Sequence, residues 1–326
     1  GAAYRDGESR RPGRTAGQQD LVDPTLMAIL QPLQHPCAGR IWVADIDQRG
    51  EAECVFCVTR SERVGPAPSA HPAATMVSRL RRDLRRFGGR KGWVWLSPWA
   101  DPFVTSSRDL AGPALQVAEE LLRSGQAITL QTRGGASTGA GLITLARRHP
   151  GRVRVALGFF SVDPEHLSTW ERGAASLEDR IALAVALREA GAEVLATIGP
   201  IIPLVNDSQL ALTALGKILR RAQIHVWNPS WIRYAPGLIP QVRREISRSR
   251  ARMLQGWFHM GRTSANAVPE LPERVRRTIL GRLHQAADQQ GAQLTVCRCT
   301  SSVGRGQCLD GPHGHAQDEG QMDLFG

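Results

Sequence analysis

Ala127-Ile-Thr-Leu130, the helical stretch at residues 140–147 and Val153-Arg-Val-Ala-Leu157 follow one another along the chain, and their reading decides the fold. The outer two are short apolar runs rich in branched residues, while the middle one is long enough for a helix. A strand, a helix and a second strand in that order make a unit whose strands run parallel. The same rhythm repeats outward. Upstream lie Trp93-Val-Trp-Leu96 as a strand and residues 110–123 as a helix. Downstream lie an amphipathic helix over 177–190 stopped by Gly191, the strand Val194-Leu-Ala-Thr-Ile198, a helix over 208–221 and the strand Ile224-His-Val-Trp227. Helices over 238–255 and 271–289 follow. Five or six such units are too few to close an eight-fold barrel. The expected fold is therefore α/β: a partial (β/α)6 TIM-type barrel with a C-terminal cysteine-containing extension.

Nearer the start the pattern is less regular. Residues 1–36 read as an arm with a short helix near 26–30. Ile41-Trp-Val-Ala-Asp-Ile46, a turn at Gln48-Arg-Gly50 and Glu53-Cys-Val-Phe-Cys57 read as a β-hairpin. A loop rich in Pro, Ser and Ala at 65–73 leads to a basic helix over 74–87. The tail from Cys297 onward is rich in Gly, Ser and His, with little regular structure expected. The domain division that follows is an N-terminal arm (1–36), a partial barrel (37–257) and a C-terminal helix with a Cys-rich tail (258–326).

Composition bounds the function. The chain has 326 residues and no uncharged apolar run of membrane-spanning length, and its Arg-rich first 20 residues lack the apolar core of a secretory signal. A cytoplasmic location without membrane association is expected. A net charge of +11 suggests a polyanionic partner. Against that, only Lys91 and Lys217 are lysines, so the charge is nearly all arginine, a bias that composition alone can produce. The arginines of 79–86 and 241–252 are spread around their helices, which reads as solvated surface rather than a phosphate track.

Six cysteines fall in two triplets: Cys37, Cys54 and Cys57, then Cys297, Cys299 and Cys308. Disulfide pairing within each triplet leaves an odd thiol, so metal or iron–sulfur ligation suits the pattern better. Cys54-Val-Phe-Cys57 brings two thiolates within reach of one centre, as in zinc ribbons, redox pairs and iron–sulfur sites alike.

With its aromatic before the last cysteine, Cys54-Val-Phe-Cys57 also resembles the end of the radical-SAM motif CxxxCxΦC. Ser97-Pro-Trp-Ala-Asp101-Pro-Phe resembles the second-strand motif of the spore photoproduct lyase branch, and Gln131-Thr-Arg133 its third-strand Thr-Lys/Arg motif. Trp170-Glu171-Arg172 resembles its Leu-Glu-Pro-Arg segment. Gly199-Pro-Ile-Ile-Pro203-Leu-Val-Asn206-Asp207 is similar to its Pro-Ile-Ile-Pro-Gly-Leu-Asn-Asp. The resemblance runs in order over about residues 37–257. It implies an enzyme with a [4Fe–4S] cluster held by three thiolates, binding S-adenosylmethionine (SAM) and cleaving it reductively to a 5′-deoxyadenosyl radical that abstracts hydrogen from substrate. It further implies a reductant such as flavodoxin or ferredoxin. Arg133 would meet the SAM carboxylate, and Ser97, Asp101 and Ser161 at strand ends would contact the amino group and ribose, with Arg172 also at the cofactor.

Two departures matter. Where the motif requires its first cysteine the chain has Gly50, and Cys37 is the expected third ligand, brought back by the hairpin expected between it and Cys54. Moreover, Ser97-Pro-Trp-Ala-Asp101 has no cysteine to donate hydrogen, leaving Tyr4 and Tyr234 as the phenolic candidates. This argues against spore photoproduct repair itself. A nucleic-acid, nucleotide or nucleoside-like substrate is expected, with small natural-product tailoring (sulfur insertion or rearrangement) as the alternative. The catalytic residue is not identified. Cys297, Cys299 and Cys308 would hold a second cluster, or zinc together with His313 or His315, or be incidental. A different class of function is a non-catalytic nucleic-acid-binding protein on a degenerate radical-SAM scaffold.

Overall fold

The computed structural model describes residues 28–35, 39–46, 53–57, 60, 73–87, 92–104, 110–261 and 269–296. Strands β1 (Leu30–His35) and β2 (Gly39–Ala44) form an antiparallel hairpin, with Leu30 opposite Ala44 and His35 opposite Gly39. From β2 onward every neighbour is parallel: β3 (Trp93–Leu96), β4 (Ala127–Thr132), β5 (Val153–Phe159), β6 (Glu193–Ile201), β7 (Val226–Trp231) and the short β8 (Gln293–Leu294). The eight strands stand in chain order with β1 and β8 at the two edges. The sheet is thus an open partial barrel of the kind that the strand–helix alternation predicts.

The helices are α1 (Ala73–Arg86), α2 (Ala111–Arg123), α3 (Ala136–Arg148), α4 (Pro164–Trp170), α5 (Leu177–Glu189), α6 (Gln209–Arg221), α7 (Leu238–Glu245), α8 (Arg248–Met260) and α9 (Glu273–Gln290). Serine and aspartate hydroxyl or carboxyl oxygens start several of them by accepting an otherwise orphaned backbone N–H. Ser176 accepts from Asp179, Ser208 from Ala211 and Asp163 from Glu165. Gly191, at φ +87°, lets the chain turn out of α5 where a side chain would be strained. Val153, Val155, Leu157 and Phe159 of β5 are wholly buried, as are Leu183 and Leu187 of α5. Each such side chain contributes about 1.5–3 kcal/mol of burial.

Three expectations are corrected. The hairpin pairs residues 30–35 with 39–44, so it lies before Ile46 rather than after it, and residues 53–57 form a turn, not a strand. The segment expected to be helical near 26–30 enters β1 at Leu30; residues 26 and 27 lie outside the described residues. Pro32 is tolerated there because β1 is an edge strand. The helix expected over 238–255 is two helices, broken at Ile246 because the Ser247 hydroxyl accepts from Arg250 N and starts α8 afresh.

β1 is fastened from behind. Asp83 of α1 is buried, and its Oδ2 accepts from the backbone N–H groups of Ile29 (2.9 Å) and Leu30 (3.1 Å). Asp83→Ala removes the acceptor of two buried donors and is expected to cost roughly 2–4 kcal/mol, read as a lower urea midpoint with earlier amide exchange at Ile29 and Leu30. At the other edge, α9 packs on α6 and β8 pairs with β7, so residues 273–294 join the barrel's own layers. No helix of the described residues is long and apolar enough to cross a membrane.

Candidate functional site

The loops after the parallel strands converge at the strands' C-terminal ends, the face where (β/α) barrels place their chemistry. Cys54 and Cys57 lie there in one tight turn, closed by a hydrogen bond from Cys57 N to Cys54 O (3.1 Å). The turn is held at Val55: its N–H donates to Trp170 O (2.9 Å), and its carbonyl accepts from Gln241 Nε2 on α7 (2.6 Å). Phe56, between the cysteines, anchors an aromatic row, 5.2 Å from Phe160, which is 6.1 Å from Trp170. Arg60 reinforces the tether with two hydrogen bonds to the Glu245 carboxylate, at 2.9 and 3.1 Å.

Cys54 is buried, its Sγ 3.8 Å from Arg172 O; Cys57 Sγ accepts from Arg60 N at 3.4 Å. Burial pushes the Cys54 thiol up to about 12, with the neighbouring Arg133 guanidinium opposing it. Two consequences follow for the metal-free chain. Cys54 is expected to resist iodoacetamide at pH 8 until the protein unfolds, which peptide mapping after a timed pulse reads directly. Because the folded thiol ionises later than the unfolded one, stability is full below pH 9 and falls as pH rises from 9 toward 12.

Arg133, just past β4, is the centre of the charge network. Its Nε donates to Glu171 Oε1 (2.6 Å), its Nη2 to Gly199 O (2.6 Å), and its Cζ lies 5.1 Å from the Phe56 ring centre. Glu171 is buried, and its other oxygen accepts from Arg180 Nη2 at 2.5 Å. Gly158 leaves room for the guanidinium: a Cβ there would fall 2.9 Å from Arg133 Nη1.

The other residues singled out in the sequence surround this core with their polar atoms already engaged. Asp101 accepts from Thr132 Oγ1 (2.7 Å), Phe103 N (3.0 Å) and Arg133 N (2.6 Å), so it sets the Arg133 backbone; burial raises its pKa despite those bonds. Ser97, at φ +50°, donates to Ala100 O (2.8 Å), and Ser161 Oγ accepts from Asp163 N (3.0 Å). The Arg172 side chain turns to α7, where Nη2 donates to Glu245 O (3.1 Å), while its backbone carbonyl meets Cys54. Asn206 locks the loop after β6, donating to Phe160 O and Pro200 O and accepting from Ile202 N. Nothing in their local sequence marks Glu171, Arg180, Gln241 or Gly158 as site residues. Trp170-Glu171-Arg172 flagged the segment, but only the fold pairs Glu171 with Arg133, 38 positions away.

Two soft thiols in a tethered, largely dry turn beside a guanidinium fit an iron–sulfur ligand pair. Among the described residues no group of three or more His, Cys, Asp or Glu could hold a metal ion. A third thiolate would come from Cys37, Cys297, Cys299 or Cys308, which, like Gly50, lie outside the described residues. The hairpin reasoning behind Cys37 does not hold. His35 and Gly39, which flank it by two positions, pair at the N-terminal end of β2, roughly 17 Å along the strand from Ala44.

No family model and no curated protein matches the chain. Solved structures do match. Spore photoproduct lyase complexed with dinucleoside spore photoproduct superposes with a TM-score of 0.62 at 11% identity, covering 82% of this chain and 80% of that one. A doubly substituted spore photoproduct lyase with bound AdoMet and the same dinucleoside gives 0.60 at 12% identity, over 81% and 78%. SuiB of Streptococcus suis, bound to S-adenosylmethionine, gives 0.51 at 13% identity, over 78% of this chain and 49% of that one. The chain therefore has the partial-barrel fold seen in spore photoproduct lyase.

Proposed function

We propose that the chain is a radical-SAM enzyme acting on a nucleic-acid, nucleotide or nucleoside-like substrate. The observation that carries this reading is the meeting of two sequence-distant features on one face: the Cys54–Cys57 turn with its Phe56 platform, and the buried Arg133–Glu171–Arg180 network. When bound, a [4Fe–4S] cluster supplies the electron that cleaves SAM and so generates the hydrogen-abstracting radical. Cys54 and Cys57 supply two of its ligands. Strand polarity favours the C-terminal triplet for the third. Thr295 N donates to Trp227 O, and β8 runs parallel to β7, so the described chain leaves β8 on the side of the strands' C-terminal ends. The flanks of Cys37 sit at the other end.

The remaining roles belong to the chain's own side chains. Arg133 Nη1, which donates to no described residue, is the edge available to a carboxylate, and the planar guanidinium suits that partner. Glu171 fixes the fork's orientation, and Asp101 fixes the backbone beneath it. The aromatic row of Phe56, Phe160 and Trp170 excludes water. The +11 charge and the dinucleoside carried by the spore photoproduct lyase structures support the substrate class. Anaerobically purified protein with SAM and dithionite is expected to release 5′-deoxyadenosine; a chain loaded with iron and sulfide that releases none would defeat the proposal.

A further inference from the structure

Glu245 closes α7 and is the sole acidic residue between Asp207 and Glu270. Its side chain is only 9% exposed, and three guanidiniums converge on it. Arg60 grips it with two bonds, Arg244 Nη2 donates to it at 3.2 Å, and Arg172 Nη1 stands 3.7 Å away. Glu53 adds only its backbone carbonyl, which accepts from Arg60 Nη1 at 3.1 Å. Three cations against one anion leave the group positive, and all three arginine side chains reach solvent. Arg243 and Arg248 flank Glu245 in the chain. Both are exposed, and neither has a carboxylate partner among the described residues.

This patch adjoins the cysteine turn directly. Arg60 N donates to Cys57 Sγ, and Arg172 O lies against Cys54 Sγ. A partner seated on the two side chains is therefore separated from the thiols by the thickness of those residues. The guanidinium forks themselves are largely spent, since Arg172 also donates through Nη2 to Glu245 O and through Nε to Thr169 O. A phosphate is held best by a free fork that can bond it twice. What the patch offers instead is net positive charge on a pinned frame, which steers a partner more than it grips one.

We infer that Arg60, Arg172 and Arg244, with Arg243 and Arg248, form the docking face for an acidic protein that donates single electrons. The inference rests on the radical-SAM reading, in which a cluster on Cys54 and Cys57 is reduced from outside. The donor gives up one electron there and leaves oxidised by one; no atom changes hands. Redox encounters of this kind bury little surface and are weak, so a face that acts through its field suits them. A nucleic-acid backbone is also anionic, and the test separates it from the protein donor.

The test titrates the full, anaerobically purified chain with an acidic flavodoxin and, separately, with a single-stranded oligonucleotide. Wild type is compared with Arg243→Glu/Arg248→Glu and with Arg243→Lys/Arg248→Lys. Arg220→Glu/Arg221→Glu, two exposed arginines in the last turn of α6, is the control of equal charge change. At about 50 mM salt the first pair is expected to weaken flavodoxin roughly tenfold or more, and the lysine and α6 pairs less than about twofold. The difference should shrink at about 0.3 M salt. Release of 5′-deoxyadenosine driven by reduced flavodoxin should fall with the affinity, while release driven by dithionite should not. Unchanged affinity in the first pair, or equal weakening by the α6 pair, overturns the face. So does a loss in the lysine pair, the mark of a fork that grips. Oligonucleotide binding weakened tenfold by the first pair alone assigns these arginines to nucleic acid and overturns it too. The two readings fail separately. Dithionite-driven release without flavodoxin binding sinks the face alone. Flavodoxin binding that depends on Arg243 and Arg248, in an iron-loaded chain that releases no 5′-deoxyadenosine with dithionite, sinks the enzyme reading while the face stands.

Discussion

Replacing Glu171 with alanine is expected to lower stability by about 3–5 kcal/mol, the range for removing one partner of a buried ion pair. The carboxylate is buried and sits between two guanidiniums, Arg133 at 2.6 Å and Arg180 at 2.5 Å; the Arg180 side chain is only 1% exposed. Alanine leaves both charges in a medium that solvates them poorly. Urea denaturation reads the loss as a shifted midpoint at constant slope. A change below about 1 kcal/mol, the level of an exposed pair, would show that solvent screens the triad. Glu171→Leu combined with Arg180→Leu should recover part of the stability, because an apolar set can replace a buried charged one. The same double variant should not restore SAM affinity, since Arg133 loses its orienting partner. Stability and binding thus separate.

The second large effect concerns iron. Cys54→Ala and Cys57→Ala are each expected to abolish the cluster at the strand ends, and with it 5′-deoxyadenosine release. Anaerobic iron and sulfide content and EPR of the reduced protein measure this, about four irons accompanying each cluster. Cys37→Ala is expected to keep its iron, whereas at least one of Cys297→Ala, Cys299→Ala and Cys308→Ala should lose it. The reverse result would restore Cys37 as the third ligand and contradict the inference from strand polarity. Two independent losses of about four irons each would instead give the tail its own cluster.

Much of the barrel is legible in the sequence because its strands are buried on both faces. Val153-Arg-Val-Ala-Leu157 and Val194-Leu-Ala-Thr-Ile198 are near-continuous apolar runs between helices of regular period, and nothing else reads that way. The first hairpin is obscured because Leu30-Gln-Pro-Leu-Gln-His35 is an edge strand with polar residues and a proline. Its partner Ile41–Ala44 then looked forward along the chain for a mate instead of back. The break at Ile246 is marked only by Ser247, a cap signal easily lost in an arginine-rich stretch. The cysteine turn and Arg133 are legible from local spacing. Glu171, Arg180 and Gln241 are not, because their roles exist only once distant segments meet.

The bond from Gln241 to Val55 spans 186 positions, and the Arg60–Glu245 pair spans 185. On the ribosome, then, the cysteine turn leaves the exit tunnel long before its clamp has been made, by some 10–40 s at about 5–20 residues per second. Throughout that interval Cys54 and Cys57 are unclamped thiols on a nascent chain. On the proposed reading, insertion of a cluster into the finished turn would be a post-translational event, and oxidant or stray zinc has its best access to these cysteines while α7 is still being synthesised.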